Sequence, residues 1–140
     1  MSILSCFSKN KSKKYYFVAS VRDALEEVPA SLKREKGLPD NYKYENHDRR
    51  CWGFFQSKDK AVQAVEENWT DLNEAGYYKY AVVEPHYEGL LNPVPGEEMW
   101  FRAKYILVGA DGEKKRKVCD GYERCETPKW AEQTCGWAIS

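Results

Sequence analysis

The side chains best suited to chemistry in this chain are cations set beside aromatic rings. Trp100, Arg102 and Lys104 recur at every second position of the segment Glu98–Val108, so on a β-strand they share one face. A flat indole beside a guanidinium can stack a nucleobase and pair with its phosphate at a single site. Arg49 and Arg50 lead a second strand-like run, Arg49-Arg50-Cys51-Trp52-Gly53-Phe54-Phe55, and can complete such a pocket from the same or another protomer. The competing reading packs Trp100 under a short C-terminal helix, with the cations covering it by their stems.

Material for catalysis is thinner. The chain holds no G-x-S-x-G nucleophile turn, no phosphate loop and no dinucleotide glycine fingerprint. Glu84, Glu88, Glu97 and Glu98 surround one loop and are the candidates for an acid/base pair, although carboxylates flanking a strand end are ordinarily just solvated. Cys6, Cys51, Cys119, Cys125 and Cys135 have none of the usual zinc spacings, and His47 and His86 stand alone in sequence. The expectation is a protein without catalytic residues, metal or cofactor.

Composition narrows the partners. Lysine plus arginine number 22 and aspartate plus glutamate 22, so the 140-residue chain carries no net charge. A binder of DNA or RNA polymers draws its affinity from excess positive charge, which is absent here. No apolar run approaches a membrane span, and no secretory signal precedes the odd number of cysteines. A reducing cytoplasm with free thiols follows as the expectation. Aromatic residues make up 14% of the chain, more than a minimal core needs, so some are available for recognition.

These residues must be positioned by a small set of elements. Residues 1–13 read as a flexible lead-in and Lys14–Ser20 as a first strand. Residues 21–47 read as an inserted loop region, with one or two helical turns before Pro29 and another over Ser31–Gly37. Arg49–Phe55 is the second strand. A helix follows, capped by Ser57 and helped by Asp59, with Ala61, Val62, Val65 and Trp69 as its apolar stripe. Tyr77–Glu84 is a third strand ended by Pro85. In the fourth, Met99, Phe101, Ala103, Tyr105 and Leu107 form the core face. Asp111-Gly112 turns the chain into Glu113–Val118. Thr127 and Pro128 start a short helix, and Thr134–Ile139 is a last strand. One domain over residues 1–140 follows. Its class is α+β, a mainly antiparallel sheet of five to six strands with one principal helix on one face and a short C-terminal helix.

In this order the residues resemble a known family. Arg50-Cys-Trp-Gly-Phe-Phe, the helix ending Asn68-x-x-Asp71-Leu72-x-Glu74, the strand Tyr78-x-Tyr80-Ala81-Val82-Val83-Glu84 and Glu88-Gly89-Leu90 are similar to the phage Thoeris anti-defence family of cyclic-nucleotide sponges, the first-described type. Trp100-Phe101-Arg102, Thr127-Pro128 and Gly136-Trp137-Ala138-Ile139 extend the resemblance over 14–19 and 49–139. It departs over residues 21–47.

The resemblance implies a non-catalytic protein acting in the cytoplasm of a bacterial host. Such a protein captures cyclic ADP-ribose isomers, and cyclic oligonucleotides of the CBASS type at a separate site, as a homodimer or a hexamer built from dimers. Carried over, Trp100 takes the place of an aromatic stacked on adenine. Arg49 or Arg50 and Arg102 become the phosphate ligands, with Arg22, Asn92, Lys104 and Arg124 as further candidates. Two rivals remain open at this point. One is an inhibitor that docks on a host protein through Leu90-Leu91-Asn92-Pro93-Val94. The other is a hydrolase of the nucleotide signal built on the glutamate cluster.

Overall fold

The computed structural model describes residues 13–89 and 93–133, the side chains at 132 and 133 excepted. The strand expected over Thr134–Ile139 and the candidate Asn92 lie outside the described residues. The elements run β1 (Lys14–Val21), β2 (Ala24–Glu27), α1 (Ala30–Lys36), β3 (Lys43–Asn46), β4 (Arg49–Phe55), α2 (Lys58–Glu67), α3 (Trp69–Asn73), β5 (Tyr80–Tyr87), β6 (Met99–Val108), β7 (Arg116–Cys125) and α4 (Lys129–Gln133). A five-stranded antiparallel sheet has the order β4-β1-β5-β6-β7, and β2 and β3 form a separate two-stranded ribbon. The class is therefore α+β. Among the described residues no helix is long and apolar enough to cross a membrane.

Alternation along the strands makes two apolar layers, one on each face of the sheet. Val18, Ala81, Val83, Phe101 and Tyr122 meet Ala61 and Val65 of α2 and Leu72 of α3. Ser57 accepts the Lys60 N–H at 3.4 Å and caps α2, and Ala61 and Val65 are completely buried. The helix stops at Glu67 rather than at Trp69. Asn68 leaves helical geometry and its amide donates to the Ala64 carbonyl at 2.9 Å, so Trp69 packs from α3 instead. On the other face, called the back face below, Ala19, Val21, Val82 and Trp100 pack with Ala131 and Trp130 of α4.

Three expectations are corrected. Residues 21–47 are not a plain loop, and Val21–Val28 is not helical: Ala24–Glu27 pairs with Lys43–Asn46 as a ribbon, and α1 connects the two strands. Pro85 does not end β5. Its carbonyl accepts from Val94 on the side away from β1, so the missing N–H falls on that same side and the ladder to β1 runs on to Tyr87. Tyr105 and Leu107 do not reach the core. β5 pairs with β6 only as far as Arg102, and beyond it β6 and β7 project as a hairpin with Tyr105, Ile106, Leu107, Val108 and Val118 exposed. The expected Asp111-Gly112 turn closes this hairpin, with Gly112 at φ 83. A bulge at Gly121, φ 117, offsets its two halves.

Candidate functional site

Strand pairing sorts the candidate residues by face. Val21 is opposite Arg49, and Ser20 is opposite Arg50, so the two arginines that lead β4 point to opposite sides. Arg49 enters the back face, where its guanidinium carbon lies 5.5 Å from the Trp100 ring centroid. Arg50 goes to the helix face, stacks on Trp52 at 4.2 Å and pairs with Glu74. Arg124 also takes the helix face, over Phe101 at 5.3 Å, and donates to the Trp100 carbonyl at 3.4 Å. Arg22 lies beyond the end of β1, 4.1 Å over Tyr77 and paired with Glu26. Arg49, Trp100, Arg102 and Lys104 are the four that share a face.

Trp100 is core, not an open stacking platform. It is 2% exposed, with the Trp130 ring set edge-on at 5.6 Å and 86°, and Tyr80 at 6.3 Å and 76°. The reason is α4, which lays Trp130 over the back face. Trp130 is held there by a parallel stack on His47, 3.9 Å between centroids, and His47 Nε2 lies 3.2 Å from Asp23 Oδ1.

Arg49 is sealed in with Trp100, its side chain 6% exposed. Burial lowers its pKa, offset by Glu84, though a guanidinium stays charged. Its Nη1 lies 3.7 Å from Glu84 Oε2, and His86 Nε2 lies 3.7 Å from Glu84 Oε1. The three make a buried line along the back face. Among the described residues, both terminal nitrogens of Arg49, both ring nitrogens of His86 and Trp100 Nε1 have no hydrogen-bond partner. Burial pushes the His86 pKa down, which keeps the imidazole neutral.

The back face is open beside Trp100 rather than on it. A cavity of about 390 Å³ is lined by Tyr80, Arg102, Cys125, Glu126 and Pro128. Tyr80 and Arg102 are direct cross-strand partners. Arg102 is well exposed and its Nε donates to Glu123 Oε1 at 3.0 Å, while Lys104 Nζ lies 3.9 Å from Asp120 Oδ2. Burial pushes the Cys125 thiol up, ahead of the opposing pull of Arg102 and Arg124, so this cysteine lacks the depressed pKa of a nucleophile.

Two of the four clustered glutamates are held in ion pairs. Glu84 is buried with Arg49 and His86, and Glu97 is held by Lys14 at 3.0 Å. Tyr80, His86 and Trp130 are site residues that sequence reasoning missed. Tyr80, Val82, Glu84 and His86 alternate on one face, but that signal is legible only if the strand is carried through Pro85. Comparison with protein-family models, with curated proteins and with solved structures finds no match for this chain.

Proposed function

We propose that this chain is a phage anti-defence sponge. In this reading it binds cyclic ADP-ribose isomers, and cyclic di- or trinucleotides at a separate site, without degrading them, in the cytoplasm of the bacterial host. The observation that supports it best is the pairing of Tyr80 with Arg102 at a cavity of about 390 Å³. That volume falls in the range of roughly 300–1,000 Å³ usual for small-ligand pockets. The phenol ring takes the adenine face in place of the sealed Trp100. Arg102 exchanges Glu123 for a phosphate oxygen, and Lys104 adds a second cation on the same face.

Affinity sets a further requirement. Sequestering a signal at submicromolar concentration takes roughly −10 kcal/mol. Two charge-assisted hydrogen bonds and one stacked base, at about 1–3 kcal/mol each, do not reach that from an open cavity. A second copy of the chain, in a homodimer or hexamer, supplies the missing enclosure. The projecting hairpin of β6 and β7, with Leu107 64% exposed, is the surface this assembly would cover.

The test is to incubate the protein with cyclic ADP-ribose isomers and cyclic oligonucleotides, remove it, denature it and analyse what is released. Intact ligand is expected, with depletion lost in Arg102→Ala and Tyr80→Ala. Altered ligand would replace the sponge with a hydrolase. No depletion by an oligomeric wild-type protein would overturn the reading and leave docking on a host protein.

A further inference from the structure

Beyond Arg102, β6 and β7 form a two-stranded ribbon, because β5 pairs with β6 no further than that residue. Two strands alone are only marginally stable in water. This ribbon nevertheless exposes Tyr105, Ile106, Leu107, Val108 and Val118, each by 36–64%. Covering them removes apolar surface from water, so the ribbon gains from a partner.

Strand alternation sorts the ribbon by face. Lys104, Ile106 and Val108 continue the row of Trp100 and Arg102 on the back face, and cross-strand partners share a face. Val118 is opposite Ile106, and Arg116 is opposite Val108. Asp120 Oδ2 lies 3.9 Å from Lys104 Nζ, which places that carboxylate on the back face too.

Along β7 the back face therefore reads cation, aliphatic, anion: Arg116, Val118, Asp120. All three are exposed, and the row is complementary to itself. A two-fold axis crossing the strands at the Ile106–Val118 pair turns a second ribbon face down and end for end. It lays Val118 on Val118 and Ile106 on Ile106, with Arg116 of each copy against Asp120 of the other. An axis along the strands instead sets Arg116 on Arg116 and tip on tip. There Lys114, Lys115, Arg116 and Lys117 outnumber Asp111 and Glu113, and repulsion rejects the arrangement. The other face of the ribbon cannot match itself, since Lys117 and Cys119, the partners of Leu107 and Tyr105, include no acid.

We propose that two copies of this chain dock through the back faces of these ribbons. Ile106, Val108 and Val118 form the apolar centre, flanked by two Arg116–Asp120 ion pairs. Asp120 exchanges the Lys104 ammonium for a guanidinium, whose planar fork fits a carboxylate better. What the pairing is for rests on the nucleotide reading, which calls for a second copy; its formation needs no nucleotide.

The test is the mass of the nucleotide-free full chain by light scattering and sedimentation. The wild type is expected to hold paired copies. Arg116→Asp and Asp120→Arg each put like charges at both ion-pair positions. Each is expected to halve the mass and to weaken association about a hundredfold, with the folded-state spectra unchanged. An equimolar mixture of the two variants should regain the wild-type mass, because the two changes pair with each other across the axis. A wild type of single copies, an Arg116→Asp protein of wild-type mass, or a mixture that stays unpaired would each overturn the proposal. Arg102→Ala should leave the mass unchanged, so ligand depletion that fails while copies stay paired counts against nucleotide capture alone.

Discussion

The two faces of the five-stranded sheet are both packed, but by different means and to different extents. The helix face is filled by α2 and α3, and its side chains are overwhelmingly aliphatic or aromatic: Val18, Ala61, Val65, Leu72, Val83, Phe101. Among the described residues its buried polar groups are satisfied. Trp52 Nε1 donates to Ser20 Oγ at 2.7 Å, Ser20 donates to the Leu72 carbonyl at 2.7 Å, and Tyr122 donates to the Tyr78 carbonyl at 2.8 Å. The back face is covered only in part, by the five-residue α4, and it buries a charge pair and an imidazole beside its apolar layer. A face made mainly for stability satisfies its polar atoms. Donors left unsatisfied in a buried position cost free energy, and they are therefore retained where something else uses them. The cavity beside Tyr80 and Arg102 opens on this face.

The comparison predicts a graded set of responses. The largest is that Trp100→Ala and Phe101→Ala, one from each face, both cost about 3–5 kcal/mol in denaturant melts. A small loss for Trp100→Ala alone would mean that the back face is no core, and would reopen Trp100 as a stacking surface. Next, Glu84→Gln removes the carboxylate from a buried guanidinium and should cost about 3 kcal/mol. Adding Arg49→Met to it should recover part of that loss, and a double variant no better than the single would show that the pair is not coupled.

The third response is to pH. The folded pKa of His86 lies below its unfolded value near 6.5, because burial opposes the charged ring. The unfolded chain thus binds the proton first. Stability is full above about pH 6.5 and falls as pH drops below it, by at most about 1.4 kcal/mol per pH unit. His86→Phe should flatten that part of the pH–stability curve, whereas no helix-face histidine exists to produce it. The smallest effect is expected from Arg102→Ala, whose surface pair with Glu123 contributes at most about 1 kcal/mol. Its melting temperature should hardly move while ligand depletion is lost.

Residues 49–69 were the most legible part of the chain, because their order is set locally. β-formers, a serine cap and three- to four-residue apolar spacing all agree there, and β4 and α2 follow. Residues 21–47 were the least legible. Ala24–Glu27 has three charged or small residues and no β-branched one, so its strand character depends on Lys43–Asn46 lying opposite. The candidate site was half legible. Alternation placed Trp100, Arg102 and Lys104 together and pairing added Arg49, but alternation cannot say which part of a face is covered. Here α4 covers Trp100 and leaves Arg102 exposed.

What the sequence determined by itself is thus the periodic and the local: strand faces, the capped helix, the Asp111-Gly112 turn, the α+β class. These follow from side-chain direction and short-range hydrogen bonding, which a chain carries wherever it goes. What only the tertiary structure decided is depth. Trp100 and Tyr105 lie on strand β6 with similar side chains, yet one is sealed beneath Trp130 and the other is 42% exposed. The difference comes from what packs against each: β5 and α4 cover one end of β6, and the other end runs past both.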